Sequence, residues 1–197
     1  MQKKQYILSK EDIKKIKISQ LHKIGYFKNP IEYVSLLNQQ LQNISSSLKF
    51  ESHDKGLLLN VMKQIEPITI ENRTFFVFRI SNPIPSQKKE KPNGLIIESD
   101  LSFLQVKEIL LFDIRESVLY CFEYSYHYGI WDYDKNKEKY YFRYDKDILL
   151  MNPPKKNIVH LHVYKDKPHF DSKTVNLNDI INLIKNNWDF SEGCLAL

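Results

Sequence analysis

Apolar residues along the chain change their period between its two ends. Ile13, Ile16 and Ile24 stand among lysines after Ser9, which lies three residues ahead of Asp12. That spacing marks an N-cap and predicts a short amphipathic helix over about 10–22. Gly25 interrupts it. Asn29-Pro30 is a second start signal: a capping side chain, then a proline whose missing N–H does no harm at the first helical position. Ile31, Val34, Leu37, Leu41, Ile44 and Leu48 then recur at three-to-four spacing, which predicts a helix over 30–48. Beyond it the pattern shortens to that of strands. Leu57–Met62, Thr74–Ile80, Leu95–Glu98, Leu101–Phe112, Val118–Ile130, Lys139–Asp145 and Ile158–Tyr164 are β-rich runs. A last helix is expected over about 177–187, with Leu177, Ile180, Ile181 and Ile184 on one face and Asn176 as its cap.

These elements predict an α+β fold: a curved antiparallel β-sheet with N-terminal helices and one C-terminal helix. The segment NPIPSQKKEKPNG, Asn82–Gly94, holds three prolines and a charge cluster, so it is neither helix nor central strand. It separates a region 1–94 of helices and short strands from a region 95–197 of sheet plus helix. The strands before it are too few to be stable alone, so both parts are expected in one compact unit, with this segment as a loop.

Alternate residues of a strand face opposite sides of a sheet, so parity sorts the C-terminal strands. In 118–128 the even positions are Val118, Tyr120, Phe122, Tyr124, Tyr126 and Tyr128, while the odd ones include Glu123, Ser125 and His127. In 139–145 the even side offers Tyr140, Phe142 and Tyr144, and the odd side Tyr141, Arg143 and Asp145. In 158–164 Val159, Leu161 and Val163 oppose His160, His162 and Tyr164. A turn at Asp132–Lys137 would pair the first two strands as a hairpin. Tyr124, Phe142 and Leu161 are then expected to be buried, with Arg143 and His162 on the opposite face.

Length, charge and cysteine content narrow the setting. The 197 residues, 42% of them hydrophobic, can bury a core, which excludes wholesale disorder. No apolar run is long enough to span a membrane, and no apolar segment follows the basic start, so neither a membrane partner nor a secretory signal is expected. Two cysteines in unrelated contexts, Cys121 and Cys194, fit a reducing cytoplasm. The formal charge of +5 is concentrated: residues 1–28 carry eight lysines against Glu11 and Asp12, and the remainder nearly balances. A basic terminal arm is expected, with Lys14, Lys15 and Lys17 on phosphates and Tyr141 and Tyr164 stacking RNA bases. A solvated helix face accounts for the same lysines. With 29 basic residues of which only four are Arg, a retained Arg such as Arg143 points to work that lysine cannot do, such as forking onto a phosphate or carboxylate.

Four of the six histidines, His127, His160, His162 and His169, fall within 43 residues. An Arg with several histidines on one face supplies what phosphodiester cleavage needs. One imidazole takes the 2′-hydroxyl proton, a second group protonates the leaving oxygen, and Arg neutralises the charge developing on phosphorus. Arg143, His160, His162, His127, Tyr126 and Asp145 are the candidate catalytic residues. The polar outer face of an antiparallel sheet accounts for such residues equally. A metal site built from His160 and His162 with Asp145 or His169 is a further possibility, without the acidic cluster that two-metal nucleases need. Glycines are scattered singly, so no phosphate-cradling loop exists and no nucleotide cofactor is expected.

On these residues the chain resembles the TumE-type toxin family of bacterial toxin–antitoxin systems. The resemblance spans about residues 101–185 and rests on YSYHY (Tyr124–Tyr128), YFRYD (Tyr141–Asp145), HLHVYKDKPHF (His160–Phe170) and the closing helix. It departs at Lys146–Pro154, which lacks the histidine that often follows the FRYD-like motif, and the first ~95 residues lie outside it. The resemblance implies a growth-inhibiting toxin acting on RNA or translation, restrained by a separate small DNA-binding antitoxin encoded beside it. The expected function is therefore a toxin-type, metal-independent ribonuclease using no cofactor. The alternatives are a non-catalytic nucleic-acid- or partner-binding module and a metal-dependent hydrolase using the HxH pair.

Overall fold

The computed structural model describes residues 6–45, 58–82, 94–97, 102–132, 134–135, 137–149, 158–163 and 165–194. Ser9 caps α1 (Lys10–Lys15) reciprocally: its Oγ accepts the Asp12 N–H at 3.1 Å, and the Asp12 carboxylate accepts the Ser9 N–H at 3.0 Å. The helix stops six residues in, not at 22, because Ile16 adopts extended backbone and is buried. A 3₁₀ turn over Ile18–Gln20 leads into β1 (His22–Tyr26). Asn29 then accepts the Glu32 N–H and starts α2 (Pro30–Ser45) at the expected place.

The strands follow as β2 (Asn60–Lys63), β3 (Ile68–Ile70), β4 (Arg73–Ser81), β5 (Leu95–Ile97), β6 (Ser102–Asp113), β7 (Val118–Asp132), β8 (Lys137–Lys146), β9 (Val159–Val163) and β10 (Lys165–Asp171). The chain closes with α3 (Leu177–Cys194), longer than the expected helix. The expected loop Asn82–Gly94 lies largely outside the described residues, as does Leu57. Three strands escaped the sequence reading: β1, β3 and β10. Glu71 and Asn72, both at positive φ, form the two-residue turn that creates β3. Pro168 lies within β10, which a proline tolerates because this strand ends the sheet path.

All ten strands join one curved antiparallel sheet, not closed into a barrel, whose main path runs β10-β9-β8-β7-β6-β4-β2. The long strands share their edges between successive neighbours. β7 pairs with β1 along its first residues and with β8 along its last, while β6 pairs with β5 along its first residues and with β4 along its last. Strands from both sides of the Pro-rich segment therefore belong to one sheet. Among the described residues no helix is long and apolar enough to cross a membrane.

One core lies on each face. On the first, α2 and α3 cover Phe78, Ile80, Leu104, Val106, Leu110, Tyr124 and Tyr126 with Val34, Leu37, Leu41, Leu177, Ile180 and Ile184. On the second, Leu8 and Ile16 from the N-terminal segment pack with Phe75, Val77, Ile109, Leu111, Val118, Tyr120, Phe122 and Ile148. Both observations correct the sequence reading. The first 28 residues are no detachable arm, because Leu8 and Ile16 are core and β1 is a sheet strand.

Nor does one parity run through β7. Ile109 faces Glu123 and Leu110 faces Cys121, so Phe122 is the extra residue of a bulge. Val118, Tyr120 and Phe122 consequently pack in the second core, whereas Tyr124 and Tyr126 pack in the first. Phe142 and Leu161, expected to be buried, are partly exposed on the first face.

Candidate functional site

Past the bulge the expected parity holds, and the register across three strands builds the site. His127 pairs with Arg143, and Arg143 with His162. In the next row Ser125 pairs with Asp145, and Asp145 with His160. Residues two apart on a strand share a face, so two adjacent rows of polar side chains lie on the second face. In β10 the backbone register sets His169 opposite His162 and Asp171 opposite His160.

The rows converge on one carboxylate oxygen. Asp145 Oδ2 accepts from Arg143 Nε at 2.7 Å and stands 3.2 Å from His162 Nε2 and 3.9 Å from His160 Nε2. Arg143 also places Nη2 3.3 Å from His162 Nε2. The same His160 Nε2 is 3.7 Å from Asp147 Oδ2, and the two imidazoles meet edge to face. Asp145, His160 and His162 are 5%, 6% and 2% exposed, so this is no solvated outer face. Leu149 donates its N–H to Glu123 Oε1 on the same face, and Ile148 is buried beside it. Burial pushes the Glu123 carboxyl up, and burial together with the Asp145 charge does the same to Asp147.

Arg143 and His127 reach the surface. The Arg143 side chain is 27% exposed and that of His127 16%. His127 Nε2 bonds Glu138 Oε1 at 2.7 Å, and its ring meets Phe103 edge to face. Sequence parity missed Glu138, since it is even-numbered like the aromatic side of β8. A second irregularity explains this: Ile130 pairs with Tyr140 but Trp131 with Glu138, so Lys139 is extra and Glu138 crosses to the His127 face. Gly129 leaves the room that this pairing uses. A Cβ there would stand 2.5 Å from Glu138 Oε1 and 2.9 Å from the Phe103 ring. Asp147 was also missed, lying one residue past β8 where strand parity no longer applies.

The remaining candidates divide. Tyr126 is not part of this site. It is 2% exposed on the opposite face, where its hydroxyl donates to Glu108 Oε1 at 2.7 Å. Lys14, Lys15 and Lys17 are exposed, and Lys14 bridges Glu11 at 3.1 Å. Tyr141 is opposite Gly129 in register, and Tyr164 falls outside the described residues.

Chemically, the group offers two things. Asp145, His160 and His162 present three donor atoms within 4.8 Å of one another, the two-histidine, one-carboxylate set that suits a divalent ion. Against an ion, the oxygen it would use already holds the Arg143 guanidinium, whose positive charge repels a cation at that distance. The same guanidinium, held in place on one edge, suits an anion in front of it. Comparison with protein-family models, curated proteins and solved structures finds no match to this chain.

Proposed function

We propose that the His–Arg face is a metal-independent, RNA-cleaving acid–base site, and that the chain is a growth-inhibiting toxin of the kind its motifs resemble. The observation that carries this reading is the transverse row His127–Arg143–His162, in which the guanidinium is fixed by Asp145 and still partly open to solvent. Arg143 receives the non-bridging phosphate oxygens and offsets the charge that grows on them. His127 takes the proton of the 2′-hydroxyl as that oxygen attacks phosphorus, and the Glu138 carboxylate stabilises the imidazolium that forms. His160, between Asp145 and Asp147, gives a proton to the departing 5′-oxygen. The products are a 2′,3′-cyclic phosphate and a 5′-hydroxyl. His162, nearly inaccessible, acts as a positioning residue: it braces Arg143 and Asp145. The restraining partner in this reading is a small DNA-binding antitoxin.

Purified protein assayed on RNA in EDTA tests the reading. Wild type should cleave, and His127→Ala, His160→Ala and Arg143→Lys should each lose about 10²–10⁴-fold in rate while melting as folded proteins. Binding without cleavage by wild type would replace catalysis with a nucleic-acid-binding role.

A metal centre is the second reading, favoured by the three clustered donors. It requires Arg143 to swing away. Cleavage that appears only with an added divalent ion, and is lost in His160→Ala and His162→Ala, would put it first.

A further inference from the structure

The face that carries the histidine rows extends beyond them into β6 and β4. There the odd-numbered residues share it with Phe75, Val77, Ile109 and Leu111 of the second core. Lys107 pairs with Ser125, and Ser125 with Asp145, so Lys107 stands in the Asp145 row. Arg79 pairs with Ile109, and Ile109 with Glu123, which places Arg79 one row further along the strands. Arg143 stands in the row on the other side of Asp145. Each of three successive rows thus contributes one cation, from β4, then β6, then β8. They form a diagonal. Strands about 4.8 Å apart and a rise of about 3.4 Å per residue set its steps at about 8 Å and about 12 Å between Cα atoms.

These cations are available. Lys107 is exposed and Arg79 half-buried. Among the described residues neither forms an ion pair, and Arg79 Nη2 meets the uncharged Met62 Sδ at 3.5 Å. Arg73, on the same face, is by contrast spent on Asp113 and Glu116, at 2.6 Å each. Ser125 and His127, both half-buried, lie on β7 between Lys107 and Arg143. Glu123 and Asp147 are the carboxyls that feel the Lys107 charge. Burial raises both, which favours their neutral forms, and both are less open to solvent than Lys107.

We propose that Arg79, Lys107 and Arg143 are a phosphate track for single-stranded RNA, with the scissile phosphate on Arg143 and two further phosphates on Lys107 and Arg79. The proposal rests on the cleavage reading and names its substrate class: a strand of several nucleotides that crosses the sheet diagonally. Evenly spaced phosphates suit a line of cations, and long, flexible side chains take up the difference between the two steps. Each contact releases counterions, so each leaves its own mark on the salt dependence of binding.

The test is binding of 2′-O-methyl oligouridines, which lack the attacking hydroxyl and so report binding without cleavage. The full chain is titrated with a dinucleotide and a hexanucleotide over a range of salt. Arg79→Gln and Lys107→Gln should each lower the hexanucleotide's slope of log affinity against log salt by about 0.7, the value for one phosphate contact on a single strand. Both should leave the dinucleotide, whose one phosphate lies on Arg143, bound as by wild type. Lys63→Gln, at an exposed lysine stacked over Phe76 on the opposite face, should change neither. An unchanged hexanucleotide slope in Arg79→Gln or in Lys107→Gln overturns the track, as does an equal loss in Lys63→Gln or a wild type that binds no strand. Cleavage of unmodified RNA, measured alongside, separates the two readings. Wild type that cuts RNA while the variants keep its slope sinks the track alone. Wild type that shows the expected slopes but leaves RNA intact sinks the cleavage reading alone.

Discussion

Replacing Glu108 with glutamine would remove a wholly buried carboxyl while keeping its outline. Glu108 on β6 accepts from Tyr126 of β7 and Tyr33 of α2, and so ties the helix to the sheet. Burial outweighs these two hydrogen bonds and raises the carboxyl from 4.5 to about 7. Between those values the folded chain keeps the proton that the unfolded chain has released. Stability must therefore fall as pH rises through this window and level off above it. At about 1.4 kcal/mol per pH unit the loss amounts to about 3 kcal/mol, a large share of a typical domain's stability. Other titrating groups are common to wild type and Glu108→Gln, so they cancel in the difference. Urea denaturation followed by circular dichroism from pH 4 to 8 measures both. The wild-type stability minus that of Glu108→Gln should drop by about 3 kcal/mol between pH 4.5 and 7.5. Parallel curves over the whole range would refute the reasoning.

Tyr126→Phe leaves Glu108 with one donor and should cost about 1–3 kcal/mol in the same denaturation assay. It should leave RNA cleavage unchanged, because Tyr126 lies on the other face. Gly129→Ala pushes a methyl against Glu138 and Phe103, and should slow cleavage through His127 while costing about 1–3 kcal/mol by urea melting. Changing Lys14, Lys15 and Lys17 together to Gln should reduce the slope of log affinity for single-stranded RNA against log salt by about 0.7 per lost phosphate contact. An unchanged slope in filter binding would assign these lysines to solvent alone.

The polar rows were legible in the sequence because YFRYD and HLH alternate strictly, and strict alternation fixes which side chains share a face. Bulges carry no such signal. Neither Phe122 nor Lys139 is marked by glycine or proline, so the switch of Val118 and Tyr120 to the second core, and of Glu138 to His127, showed only in the register. Burial of the histidines was also out of reach. It is set by long-range packing over the sheet, which local pattern does not encode. The same holds at the start of the chain. Leu8 and Ile16 look like isolated apolar residues in a basic run, yet the Gln64 side chain accepts the Leu8 N–H at 3.1 Å and both residues are core.

The account's central claim is that a guanidinium held by Asp145, with histidines on either side and no metal, breaks RNA through its own 2′-hydroxyl. End-group analysis of RNA cut by the purified chain in EDTA tests this most directly, with a substrate carrying a single 2′-deoxy residue at the cut position as the paired control. The account predicts 2′,3′-cyclic phosphate ends, no cutting at the deoxy position, and cutting about 10²-fold or more slower in Arg143→Lys. Intact RNA after prolonged incubation with folded wild type, or 3′-hydroxyl ends formed equally well at the deoxy position, would contradict it.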